Sequence, residues 1–539
     1  MIPRLALILL FSIAAIVPAR AFDLNEVRRD GQLVAQALSM GAGGDWEAAQ
    51  ALVAGQHPVV RDIVLWRKLR ARKGTADEFR DFASRRLDWP GAKSLGAVYG
   101  VYVGGGGGGA RTGSLSGAPA ESYAAFRAAQ RKDEYETAEQ LIIAASASRA
   151  SLGVPKEWAK RRLSAARRAA REGRATAAYS IASKHFLTPA DGYDYSDCEW
   201  VAGWVALRKL KDPKRAIAHF KRFRDSVETP ISLGRGGYWL GRAYEAAGNS
   251  DAARRWYADG AQYQTSFYGQ LAAAKIGAAG DSQLAATGLP DWRSSAAAKG
   301  DTARMAATMY YAGQDTLAMA TFSRLGSDAP IATLAPLTKL ALDLGAPHYA
   351  IRAAKKAARR GVLIYPAYYP VHQMVRHTSK VEPAFALSVA RTETELNARA
   401  ISKAGARGLM QLMPGTAKKV AGWIGEEYSR NRLIDDWRYN VRLGETYLAR
   451  RVSDFGGSYF MAAAAYNAGA SRVDRWIGEY GDPRRGQIDI VDWIEQIPFN
   501  ETRNYVQRVM EGLHVYRARL KGSVGAVTLE QDLRRGFTR

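Results

Sequence analysis

Glu393 is the residue most suited to chemistry in this chain. Glu382-Pro383 opens a helix, with proline in the first turn, where a missing N–H costs little. Phe385, Val389, Glu393 and Leu396 follow at helical spacing and share one face. Three of the four are apolar core residues, and the fourth is a carboxylic acid. A carboxyl on a core-facing stripe with no neighbouring cation loses hydration of its charged form. Its pKa rises, by up to about 3–5 units at full burial. A carboxyl kept protonated near neutral pH is what a general acid requires. The alternative is a buried structural acid that caps a helix or pairs with an arginine. Glu395, two positions on, points elsewhere and is expected to be ordinary.

Little else competes for a reactive role. His372, His377 and His514 are isolated and lack metal-ligand spacing, and no Asp-x-Asp-x-Asp-Gly calcium loop occurs. The single cysteine, Cys198, allows neither an intramolecular disulfide nor a cysteine-based zinc site. No metal and no cofactor is expected.

The elements that position Glu393 are helices. From about Phe22 to Gly361 the chain is rich in Ala, Arg and Leu at helical spacing, and almost nothing reads as a strand. Helix–turn–helix boundaries recur at Gly44-Asp45, Glu172-Gly173, Lys211-Asp212-Pro213, Gly248-Asn249, Gly313-Gln314 and Gly345-Ala346-Pro347. The later turn glycines fit about one and two units of a degenerate repeat of roughly 34 residues. Each hairpin buries its apolar face only by stacking on neighbours, which predicts an all-α fold with an N-terminal α-solenoid superhelix. A non-repetitive helical domain is the alternative. The run Gly104 to Gly109 lacks the Gly-Lys-Ser/Thr ending of a phosphate loop and reads as a flexible surface loop. Ile364 to Pro370 is aromatic and proline-rich, and it marks the last domain boundary.

Composition narrows the partners. The chain has 539 residues, 47% hydrophobic and 24% charged, which is globular and excludes a mostly disordered protein. The 77 Lys and Arg against 52 Asp and Glu give a net charge of +25, so an anionic partner is expected. Arg4, the apolar run Leu5 to Val17 and Ala19-Arg20-Ala21 read as an export signal, with an uncleaved anchor as the alternative. Beyond it no apolar run reaches the roughly 18 residues of a membrane span. Export makes nucleic acid an improbable partner and favours an envelope polymer carrying carboxylates, or anionic lipid.

Ala390-Arg391-Thr392-Glu393-Thr394 is followed by Gly405-Ala406-Arg407-Gly408-Leu409-Met410-Gln411-Leu412-Met413-Pro414-Gly415-Thr416-Ala417. Ala464-Ala465-Tyr466-Asn467-Ala468-Gly469 and Ile497-Pro498-Phe499-Asn500-Glu501-Thr502-Arg503-Asn504-Tyr505-Val506 come after. These four blocks, in this order, resemble the catalytic domain of the soluble lytic murein transglycosylases. The upstream helical array, export signal and length resemble the large, doughnut-shaped periplasmic type. The family's acid is usually followed by serine. Here Thr394 keeps the hydroxyl and adds a methyl that needs room.

The resemblance implies a signal peptide at 1–21, an α-superhelical U-shaped domain at 22–290 and a helical linker domain at 291–370. A lysozyme-like catalytic domain at 371–521 and a polar, loosely ordered tail at 522–539 complete the chain. It implies a periplasmic, monomeric lyase acting on peptidoglycan glycan strands, with envelope cell-wall synthesis proteins as candidate partners. Such enzymes cut the β-1,4 bond between N-acetylmuramic acid and N-acetylglucosamine and leave a 1,6-anhydro end. Glu393 would be first the acid and then the base, with the substrate's N-acetyl group assisting. Ser402, Met410, Gln411, Tyr466, Asn467, Glu495 and Tyr505 would contact substrate. Thr394, Gly405, Gly408 and Gly469 would shape the site.

Plainer roles stand beside these. Gly405 and Gly408 also serve as structural turns, Met410 as core, and Gly469 as a left-handed helix cap. Glu501 and Arg503 read as helix-start and core-bracing residues, and Val506, Val509, Leu513 and Tyr516 as a core stripe. A hydrolytic muramidase and a non-catalytic peptidoglycan-binding or protein-interaction scaffold are the alternative functions.

Overall fold

The computed structural model describes residues 21–103, 115–328 and 330–537. The glycine run and all but the last residue of the expected export signal lie outside them. The regular elements of the described residues are all helices, with no strand and only isolated bridges from Arg407 to Ile401 and Leu412. None of their helices is long and apolar enough to cross a membrane.

The turns read from the sequence sit between helices. Asp45, Asp212 and Asn249 each accept a hydrogen bond at 2.9–3.0 Å from the backbone N–H three residues on. These are N-caps, which satisfy donors that the first helical turn leaves unpaired. Gly248, at φ 74°, takes the left-handed turn before one of them. Helices then pack closely where they are small. In Pro230–Ala246, a side chain at Gly241 would run into the Tyr257 ring of Ser250–Ala261.

The chain forms two units. In the first, the N-terminal helices pack with residues 290–344. Phe22 lies 4.8 Å from the Trp292 ring, and Arg304 pairs with Asp30 at 2.7 Å and Glu26 at 2.5 Å. Gly31 has no room for a side chain against Tyr311.

The second unit holds residues 107–289 and 345–539. Here the acid-bearing helix, Pro383–Thr394, lies against the long helix Asn500–Lys521. Ser388 Oγ donates to the Val509 carbonyl at 2.7 Å, and Gly512 leaves the space that this contact needs. Phe385 stacks on Tyr459 with ring centroids 4.1 Å apart. Val506, Val509, Leu513 and Tyr516 are fully buried. The C-terminal tail departs from the loose order expected of it. Leu529 and Leu533 of a short helix are buried, and Asp532 pairs with Arg517 at 2.6 Å. Two leucines at helical spacing were enough apolar surface to dock it.

Candidate active site

Glu393 sits in the last turn of its helix. Phe385 and Val389 below it are fully buried, and the Glu393 side chain is partly buried. The helix stops at Thr394, because Glu395 (φ 56°) and Leu396 (φ 67°) both turn left-handed. Leu396 is buried, but beyond the helix end, so it does not extend the stripe as expected. No cation pairs with Glu393 among the described residues. Desolvation therefore dominates and raises its pKa to about 7; the Tyr505 hydroxyl pulls it down and the Glu501 charge pushes it up.

Tyr505 and Tyr466 are buried beside this carboxyl. Burial and the Glu393 charge hold both hydroxyls well above their usual pKa, so both remain proton donors. The Tyr466 hydroxyl donates to the Met410 carbonyl at 2.8 Å. The Tyr505 hydroxyl closes no hydrogen bond of ordinary length. Glu395 is not the ordinary acid expected. Arg352 and Lys355 hold it at 2.6 Å each and depress its pKa.

The glycine-rich loop is fastened beside the helix. Thr394 Oγ1 donates to the Leu409 carbonyl at 2.8 Å and reaches Ala390 at 3.1 Å, so the extra methyl is accommodated. Gly405 (φ 91°) turns in open space, whereas Gly408 (φ 76°) is pressed against the Leu433 carbonyl and the Asn440 amide. Ser402 Oγ accepts the Ala406 N–H at 3.0 Å. Gln411, at φ 49°, donates its amide to Ala400 at 3.2 Å and Gly408 at 3.0 Å. The Met410 side chain is fully buried against Gly444, so it is core and not a cleft contact.

Sequence reasoning missed Asn440. It is fully buried, accepts the Met410 N–H at 2.8 Å, and donates to Arg407 at 2.9 Å and Leu433 at 3.0 Å. An asparagine at a core position of a helical stripe was the available signal.

Asn467 accepts the Thr502 hydroxyl at 2.6 Å, which ties the helix Tyr459–Ala468 to the start of Asn500–Lys521. Gly469 has φ 92° and ψ 144°, a glycine conformation but not the left-handed helical one expected. It joins two consecutive helices instead of ending one with a reversal.

Glu495 does not line a cleft. It is 1% exposed, and its carboxylate meets Arg167 at 3.2 Å, Arg235 at 3.4 Å, Gln507 at 2.8 Å and the Tyr268 hydroxyl. The nearby guanidiniums hold its pKa near 2 despite full burial. The motif glutamate whose charge reaches Glu393 is the exposed Glu501. Arg503 braces the core as expected, donating to the Ile497 carbonyl at 3.0 Å. His372 and His377 flank the Trp437 ring at 5.1 and 5.3 Å, and burial drives the His514 imidazole down to about 4.

Residues 371–488 match the family model of the transglycosylase SLT domain. By this match the region is similar to an SLT domain. The fourth sequence block, with Glu501 and Tyr505, lies just beyond the matched stretch. The SLT region carries the similarity to curated proteins as well: a soluble lytic murein transglycosylase of Escherichia coli K12 is 38% identical over 145 residues. That is 26% of this chain and 22% of the relative, so the match spans less than a quarter of the relative's length. The fold likeness is far longer. A lytic transglycosylase Slt of Pseudomonas aeruginosa, solved as an inactive mutant, aligns over 94% of this chain and 83% of its own, with a TM-score of 0.55 and 20% identity. The 70 kDa soluble lytic transglycosylase of Escherichia coli aligns over 96% of this chain and 100% of its own, with a TM-score of 0.52 and 17% identity.

Proposed function

We propose that this chain is a lytic transglycosylase that cleaves the β-1,4 bond between N-acetylmuramic acid and N-acetylglucosamine in peptidoglycan. The observation that carries the reading is the partly buried Glu393, which has no cationic partner among the described residues and is raised to about 7. At neutral pH about half of such a group is protonated, so it can give a proton to the leaving oxygen. Once ionised, the same carboxylate takes the proton of the muramyl C6 hydroxyl as that oxygen closes on C1. The product is a 1,6-anhydro end, with no water added.

The surroundings fit a single acid that works twice. Tyr505 presents its hydroxyl to Glu393 and pulls the carboxyl's pKa down against the effect of burial. Burial first, and the Glu501 charge after it, disfavour the ionised form of Glu393 and so favour its proton before the cut. The N-acetyl group of the substrate would stabilise the oxocarbenium-like centre. Ser402, Gln411 and Asn467 keep partial exposure and are the polar contacts we assign to the sugar chain. Catalysis is assigned to residues 371–521 and strand holding to the helical array of 22–290. Residues 1–21 are assigned as an export signal, which sets the work in the periplasm.

Mass spectrometry of fragments released from purified sacculi tests the reading. Anhydro ends, lost in Glu393→Gln, are expected. Reducing ends would show a hydrolytic muramidase instead, and binding without digestion by the wild-type chain would show a scaffold.

A further inference from the structure

Three helices of the second unit, Gly117–Arg131, Tyr135–Ala145 and Pro155–Arg171, line an open cavity of about 300 Å³. No residue of the SLT domain lines it. Its charge is lopsided. Arg127 and Arg131 enter from one helix, one turn apart, and Arg161 and Arg168 from another, two turns apart. Glu139 is the one acid in the lining, and Arg174 already holds it through two bonds of 2.7 and 2.8 Å. Arg168 lies 3.3 Å over the Tyr135 ring and 3.7 Å from Glu172. Asp133, two residues before Tyr135, does not line the cavity and accepts the Tyr135 hydroxyl. Arg161 donates to the Tyr123 hydroxyl at 3.1 Å. Arg127, Arg131 and Arg161 thus have no carboxylate partner among the described residues.

Like charges brought together one helical turn apart oppose folding. A ligand carrying the opposite charge removes that opposition. Every cation here is an arginine, whose planar fork meets a carboxylate through two parallel bonds. Gln130 and Ser164 add neutral polar groups, while Ala138, Ala165 and the Tyr135 ring supply an apolar floor. The volume is at the small end of ligand pockets and holds a few amino-acid units, not a sugar chain.

We propose that this cavity is a second binding site, for peptide-borne carboxylates. On the transglycosylase reading these are the free carboxylates of the peptide stems on murein. The site would hold a strand by its peptides while the SLT domain works on its sugars. Small methyl side chains would rest on the alanine floor, and the carboxylates would face the four guanidiniums.

The test uses the full chain and its Arg127→Gln/Arg161→Gln variant. Calorimetry would measure binding of a sugar-free stem peptide, of the same peptide with its carboxylates amidated, and of inorganic phosphate. The free peptide is expected to bind the wild type, and to bind the variant at least about tenfold more weakly, the equivalent of one charge-assisted contact. Amidation should weaken binding similarly. On intact sacculi the variant should raise KM, and on glycan stripped of peptides it should match the wild type. Equal peptide binding by variant and wild type would overturn the proposal. So would phosphate binding without peptide binding, or equal affinity for the amidated peptide. If the wild type binds the peptide through these arginines yet never cuts murein, this site stands and the transglycosylase reading falls.

Discussion

The Thr394 hydroxyl donates to the Leu409 carbonyl across 2.8 Å, joining the residue after Glu393 to the middle of the glycine-rich loop. Helix and loop therefore move together around the acid. Thr394→Val keeps the shape and removes the bond, leaving a carbonyl poorly satisfied at a cost of about 1–3 kcal/mol. Lower thermal stability with reduced kcat is expected, and Thr394→Ser should restore both. A valine variant that matches the wild type in both would show that the bond does not position Glu393.

Glu393→Gln is expected to fold and to lose at least about 10²-fold in rate, the low end for general acid catalysis. In the wild type, the proton-donating form drains away as pH rises through the carboxyl's value of about 7. The rate of bond cleavage should then fall about tenfold per pH unit above it. Turnover of sacculi from pH 5 to 9 measures this limb.

The same carboxyl links stability to pH. Unfolded, it titrates near 4.5, and folded near 7, so the folded chain holds the proton more tightly. The stability it contributes is fully present below about 4.5 and is lost as pH rises through about 7. Glu393→Gln cannot ionise. Relative to the wild type it should be equally stable at pH 4 and more stable at pH 8, by up to about 3 kcal/mol. Urea melts at the two pH values compare them directly.

Glu495 behaves in the opposite sense. Its folded pKa near 2 lies below the ordinary 4.5, so its contribution is present above 4.5 and is lost as pH falls toward 2. Three guanidiniums around one carboxylate leave the cluster over-charged: burial first, then Arg167, push Arg503 down to about 9. Glu495→Gln should cost about 3–5 kcal/mol, as expected for breaking a buried ion pair from one side. It should also flatten the acid limb of a stability-against-pH curve.

Much of this was legible in the order of residues. Turn glycines and N-cap acids marked the hairpins, because capping is local chemistry. Phe385 and Val389 marked the face on which Glu393 sits, because the period of a helix is fixed. What failed depended on partners distant in sequence. Glu495 and Glu501 look alike along the chain. The partners that separate them, Arg167, Arg235 and Tyr268, come from helices more than two hundred residues earlier. The helix end at Glu395 was hidden because a glutamate, not a glycine, takes the left-handed turn, held there by Arg352 and Lys355. Asn440 gave only a weak hint, since an amide within a helix says nothing of the loop it fastens.

Arg304 reaching back to Glu26 and Asp30 has a consequence for how this protein is made. The first helices are made, and on the export reading delivered, long before the segment that completes their core. They stay unfinished, and open to chaperones or proteases, until residues 290–344 have followed them.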